Sequence, residues 1–206
     1  MAVSTAESEA TATRKSLPYR NSRLRAVCAV TLIGVTAHFV SYTFIVPIID
    51  DIGLDDASAA LVLIGYGVAG LVALAAAART MDRRRRATLV GGLGVFCLSV
   101  FLLGAISALP LDAVATFMGV SAIVVWGASA AVLPPILQSA AIRTSPDGAE
   151  QASALYVTAF QGGILSGSLV GSVTYDHLGV TAILLTTAAL VAVTLVGVLV
   201  RGDAFR

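Results

Sequence analysis

The sequence predicts an all-α membrane protein with six transmembrane helices and both termini in the cytoplasm. Three observations carry this. Of 206 residues, 57% are hydrophobic and 12% charged, and the mean hydropathy is +0.91, whereas a soluble domain carries about 25% charge. The apolar residues gather into six stretches near 24–46, 57–78, 87–108, 113–133, 152–173 and 180–200. Each is long enough to cross a hydrocarbon core of about 30 Å as a helix. The gaps, numbered alternately inside and outside, put all thirteen Lys and Arg residues inside, in clusters around Arg14–Arg25, Arg79–Arg86, Arg143 and Arg201–Arg206. The outside gaps hold only Asp50, Asp51, Asp55, Asp56, Asp112, Asp176 and His177. Short basic loops stay cytoplasmic, so the net charge of +1 hides a complete sidedness.

Residues 1–23 are Ser, Thr, Ala and charge, too polar to pack, and are expected as a disordered cytosolic tail. The apolar run that follows is too long for a cleavable signal. The membrane domain spans 24–200, and 201–206 form a second cytosolic tail. In the first stretch Thr31, Gly34, His38, Ser41 and Tyr42 follow helical spacing and form a polar stripe. His38 is the one ionisable group near mid-membrane, and such a residue points to function. The other reading is a neutral imidazole bonded to a neighbouring helix. A kink is expected at Pro47.

The second stretch contains Gly65-Tyr66-Gly67-Val68-Ala69-Gly70, the spacing of a dinucleotide fingerprint. That fingerprint needs a strand and then a turn into a helix; inside one continuous span these glycines read as close helix packing. Cys28 and Cys97 lie in apolar spans without metal or redox spacing, and no cofactor or metal is expected. A single Lys, with no basic patch beside aromatics, leaves nucleic acid no platform.

The fourth stretch ends at Pro134-Pro135, where a kink should free carbonyls for neighbours or cavity water. A Pro146-Asp147-Gly148 turn follows. In the fifth stretch Gly163, Gly167 and Gly171 repeat every four residues and line one face, letting another backbone approach closely. The sixth contains a dozen Val, Leu and Ile residues, which favour insertion by about 4–7 kcal/mol before Thr and Gly subtract from it. Spans of this length lack the alternation of an outer-membrane barrel.

Trp126-Gly127-Ala128-Ser129 resembles the Gly-x-Ser of rhomboid intramembrane proteases. Such a serine needs a base, and the sixth stretch has no histidine, so no enzyme is expected.

A broader likeness covers 24–200. Ser41-Tyr42-Thr43-Phe44-Ile45-Val46-Pro47 is similar to the end of the seventh helix of major facilitator superfamily transporters, in the drug:H+ antiporter branch that includes sugar efflux pumps. Asp82, Arg83 and Arg86 resemble its cytoplasmic Gly-x-x-x-Asp-Arg-x-Gly-Arg-Arg signature, with Ala78 and Arg85 in place of both glycines. Leu133 to Gln138, Ser145-Pro146-Asp147 and Phe160 to Gly167 resemble its tenth-to-eleventh helix region in order and spacing.

The resemblance implies a six-helix half bundle of the C-terminal type, in the plasma (inner) membrane, working in efflux of a drug or sugar-like molecule. It implies a substrate cavity near the midplane, for which the candidates are His38, Tyr42, Gln138, Tyr156 and Gln161. In the signature turn Asp82 would accept from a helix N-terminus, while Arg83 and Arg86 would anchor to lipid phosphate or acidic partners. Alternating access needs a second six-helix bundle, from another copy or a separate N-terminal half. The alternative is a truncated or regulatory chain that does not transport.

Overall fold

The computed structural model describes residues 21–79, 81–110 and 112–205, and for 81–83 the backbone alone. Of the expected N-terminal tail, 1–23, residues 1–20 lie outside the described residues, whereas Ser22 and Arg23 already belong to a helix capped by Asn21. Among the described residues, all regular structure is helical. Five segments are long and apolar enough to cross a membrane: Ser22–Tyr42, Asp56–Ala78, Arg84–Ile106, Ala113–Thr144 and Pro146–Val200.

Helix α1 (Ser22–Tyr42) starts on Asn21, whose side chain accepts from the Arg23 and Leu24 backbone N–H groups at 3.0 and 3.4 Å. An N-cap of this kind satisfies donors that lack an intrahelical partner. The chain then breaks at Thr43 and Phe44 before a short α2 (Ile45–Asp51). The break thus precedes Pro47, which sits in the first turn of α2, where a missing N–H breaks no helical bond. Helices α3 (Asp56–Ala78) and α5 (Ala113–Thr144) start on Asp55 and Asp112. Their carboxylates accept from Ser58 N–H at 2.9 Å and Ala115 N–H at 2.7 Å. In α4 (Met81–Ile106), Arg84 is non-helical (φ −136°, ψ 39°). Helix α5 continues through Pro134 and Pro135. Prolines at these positions leave the carbonyls four residues back, on Ala130 and Ala131, without their helical donors.

Helix α6 (Ala149–Val200) has 52 residues, roughly 78 Å of helix at 1.5 Å per residue. It is broken at Gly179, whose φ of 76° suits only glycine. The arms 149–178 and 180–200 both lie along α1, and the register gives their directions. Gly163, Gly167 and Gly171 face Val35, Thr36 and Val40 in ascending order, so the first arm runs parallel to α1. Gly197, Thr194 and Thr187 face Val30, Gly34 and Ser41, so the second arm runs antiparallel. By the same test α3 is parallel to α5, through Gly65 on Val124 and Gly70 on Ala131. Helix α4 is antiparallel to the second arm: Arg86 lies by Leu199, Cys97 by Ala188 and Gly104 by Leu184. Helix α1 is antiparallel to α5, through Asn21 on Thr144 and His38 on Trp126.

The two ends of the described chain meet at one end of the bundle. Arg201 Nη2 donates to Ser22 O at 3.4 Å, and Arg23 pairs with Asp203 at 3.4 Å. Residues 202–205, read from sequence as part of a tail, form a 3-10 turn folded over the helix ends with Phe205 fully buried. By contrast Leu61, Ile64, Leu71, Phe117 and Leu178 are 60–72% exposed on the flanks. An apolar flank of this kind suits a hydrocarbon solvent, in which helices associate by close packing and hydrogen bonds.

Candidate functional site

A cavity of about 380 Å³ opens between α1, α3, α4, α5 and α6. Close approach of the helices builds it. A Cβ on Gly127 of α5 would lie 2.6 Å from the Tyr66 carbonyl oxygen of α3, and a Cβ on Gly70 would lie 3.3 Å from Gly127 O. Of the Gly-x-Gly-x-x-Gly string, Gly70 serves close helix packing, Gly65 makes only an ordinary contact with Val124, and Gly67 faces open space; Gly67 and Gly70 lie on the cavity wall. On the other side a Cβ on Gly163, Gly167 or Gly171 would come within 2.5–2.7 Å of α1 atoms. The small-residue stripe thus seats the first arm directly on the α1 backbone.

The wall is mostly aliphatic and glycine, with aromatic rings gathered around His38. His38 projects from α1, and Tyr42, one turn on, stacks against it at 5.0 Å between ring centres. Phe96 of α4 meets His38 edge-on at 5.8 Å and stacks on Trp126 of α5 at 6.1 Å. Tyr66 of α3 meets Trp126 edge-on at 5.6 Å and Tyr42 at 5.8 Å. Edge-on and offset pairs of this kind add to the burial of each ring. Trp126 itself is fully buried behind the wall, and its Nε1–H donates to His38 Nδ1 at 3.3 Å. Ala130, Ala131 and Pro134 also line the cavity, so the proline-bearing stretch of α5 borders it.

The five cavity candidates named from sequence are placed differently. His38 and Tyr42 line the cavity. Tyr156 is buried one layer behind, its hydroxyl donating to Pro134 O at 2.9 Å and its ring against Phe160, which does line it. Gln138 is half-buried on α5 away from the wall, and Gln161 is exposed on the outer face of the first arm. Sequence reasoning passed over Tyr66, Phe96, Trp126 and Phe160. The available signal was their depth: Tyr and Trp in membrane helices favour the interfaces, so aromatics at mid-span need another explanation.

The polar stripe of α1 also divides. Gly34, His38 and Tyr42 face the cavity, whereas Ser41 is buried against the second arm, its Oγ 2.6 Å from Thr187 Oγ1. Ser129 Oγ donates to Trp126 O at 2.9 Å within its own helix. Among the described residues no three His, Cys, Asp or Glu side chains gather as a metal site would need. In the signature turn the side chains of Asp82 and Arg83 lie outside the described residues. Arg86 Nη2 donates to Leu199 O at 3.2 Å, and its guanidinium lies on Gly202, where a Cβ would come within 2.5 Å. It therefore caps the C-terminal end of the second arm, where a cation is favoured.

A sequence model of the Major Facilitator Superfamily matches residues 27–204. A chloramphenicol efflux pump of Mycobacterium tuberculosis is 41% identical over 195 residues, which are 94% of this chain and 47% of that protein. Probable sugar efflux transporters of Haemophilus influenzae and Mannheimia succiniciproducens are 30% and 28% identical, over 78% and 88% of this chain and 39% and 45% of theirs. The chain thus spans about half the length of the curated relatives it matches. With long apolar helices packed through glycine around a cavity, the chain belongs to the major facilitator superfamily as a multi-pass membrane protein.

Proposed function

We propose that this chain forms one six-helix bundle of an efflux transporter, and that its cavity holds a small, largely apolar molecule during alternating access. The observation that carries the reading is the cavity of about 380 Å³, walled by five helices of a superfamily member. Its size falls in the range of small-molecule sites, roughly 300–1,000 Å³. The efflux names of the relatives support the direction of transport, and chloramphenicol is the first solute to try. Six crossings follow if each arm of α6 spans the bilayer, since one arm already exceeds about 30 Å. The alternating directions of the six passes support that count. Arg23, Arg86 and Arg201 share one end of the bundle, which the positive-inside rule assigns to the cytoplasm of a cell with this protein in its inner membrane.

The second bundle would dock on the exposed faces of α3 and the first arm, where Leu61, Ile64 and Leu71 and then Leu165 and Leu169 are open. Gln161 lies on the same open arm, so it would face the space between bundles, where the superfamily holds substrate. Rocking of the bundles, driven by an ion gradient, would expose the cavity to each side in turn.

The test is reconstitution in liposomes of this chain alone and together with the portion of the Mycobacterium tuberculosis pump that it does not match. Gradient-dependent chloramphenicol efflux is expected from the pair. Absence of flux from a correctly inserted, co-purifying pair would remove the transport reading.

A further inference from the structure

We propose that His38, held by Trp126 as the tautomer protonated on Nε2, is the hydrogen-bond donor by which this cavity selects uncharged aromatic molecules carrying an acceptor. The proposal rests on the reading above only in taking the cavity to be a binding site.

The tautomer follows from donor and acceptor chemistry. An indole N–H donates and never accepts, and it points at His38 Nδ1 from 3.3 Å. That nitrogen must therefore be bare, and a neutral imidazole then carries its proton on Nε2. An imidazolium, a donor on both nitrogens, could not take the bond. Among the described residues Nε2 has no hydrogen-bond partner, and His38 lines the cavity. Its N–H is thus a fixed donor with an unmet bond, which an acceptor on a ligand would satisfy.

The surroundings set the rest of the ligand's character. Tyr42, Tyr66 and Phe96 bring ring faces and edges from three helices onto one space, the arrangement that receives another ring. Among the described residues no Asp, Glu, Lys or Arg lines the cavity wall, so a charged group there would stay unpaired and poorly solvated. The tyrosine hydroxyls can donate or accept and so impose no polarity on a ligand. The His38 N–H imposes one.

Trp126 is the chain's single tryptophan and adjoins the cavity, so binding is read from its emission. The full chain in lipid nanodiscs is titrated with nitrobenzene, which quenches indole emission, and with toluene, measured by its displacement of nitrobenzene. The two solutes are similar in shape and differ in the acceptor. Wild type is expected to bind nitrobenzene roughly 3- to 10-fold more tightly, the worth of one neutral hydrogen bond. His38→Phe should remove that preference while leaving toluene affinity unchanged. His38→Gln, whose amide both accepts from Trp126 and donates, should keep most of it. Equal affinities in wild type, or a preference that survives His38→Phe, would overturn the assignment of His38 while leaving the cavity as a binding site. Binding of neither solute to wild type would overturn the binding-site reading and this assignment with it. Equal wild-type affinities overturn the assignment even where a variant does not fold.

Discussion

The indole N–H of Trp126 on α5 bonds to Nδ1 of His38 on α1 at 3.3 Å, joining two helices through groups of which one titrates and the other fluoresces. The bond exists only while His38 is neutral, because an imidazolium offers no acceptor. Falling pH must therefore break it, and rising pH must restore it. The rings facing His38 are Phe39 and Tyr42 of its own helix, Phe96 of α4 and Trp126 of α5. Among the described residues no carboxylate, Lys or Arg lines this cavity, and the other titratable groups on it are the phenols of Tyr42 and Tyr66. Trp126 emission in nanodiscs should change reversibly on acidification in wild type and stay flat in His38→Gln. An identical change in both would show that another group is responsible.

Close packing of α1 on the first arm of α6 gives a prediction about stability. A Cβ on Gly167 would lie 2.5 Å from Thr36 O, and backbone cannot swing aside as a side chain does. Gly167→Ala should cost about 1–3 kcal/mol as the helices are forced apart. Gly94 of α4 has nothing within 4 Å of the same added atom, so Gly94→Ala should be neutral or stabilise by up to about 1 kcal/mol through helix propensity. Thermal unfolding in detergent compares the two, and equal effects would refute the contact.

The Ser41–Thr187 pair ties the C-terminal end of α1 to the second arm at 2.6 Å. Hydrogen bonds between membrane helices are worth about 0.6 kcal/mol on average, up to about 1.7. A double-mutant cycle with Ser41→Ala and Thr187→Val should return a coupling in that range. Because both residues are fully buried, Ser41→Ala should leave the Thr187 hydroxyl without this partner and cost more than the coupling itself, whereas after Thr187→Val the Ser41 hydroxyl can still donate to Ile183 O at 3.4 Å.

Asp55 and Asp112 act as helix caps. Asp112→Ala should cost about 1 kcal/mol and Asp112→Asn much less, since the amide oxygen can still accept from Ala115. At Asp55, hydrogen bonds from the Ser58 side chain and backbone hold the carboxyl below its ordinary range. Its contribution to stability is therefore full above the unfolded-state value and is lost as pH falls through the lower folded-state value. Asp55→Asn should remove that part of the acid sensitivity, measured as unfolding midpoint against pH between neutral and strongly acidic buffer. An unchanged profile would mean that the cap carries no net weight.

Sequence reading located the helices because insertion in lipid depends on summed hydropathy and on the sidedness of charge, both local properties. Its resemblance to the superfamily came from ordered motifs that need no structure. It misjudged finer points where a residue's neighbours decide its role. The interruption expected at Pro47 falls three and four residues before it, at Phe44 and Thr43, so that the proline itself sits in the first turn of α2. Asp55 and Asp112 served only as topology markers until capping bonds gave them a local task. Phe205, near the chain end, is fully buried because residues 202–205 fold back over the helix ends.

What the amino-acid order alone determined is that the chain folds into long apolar helices, and which gaps between its apolar stretches carry the bases. Only tertiary structure decided that His38 meets Trp126, that Tyr66 and Phe96 join them, and that Gln161 faces outward. The reason is physical: in lipid no hydrophobic force sets the register between helices. The side-by-side fit does, and here glycines at 127, 163, 167 and 171 fix it by admitting a neighbour where a methyl group would not fit.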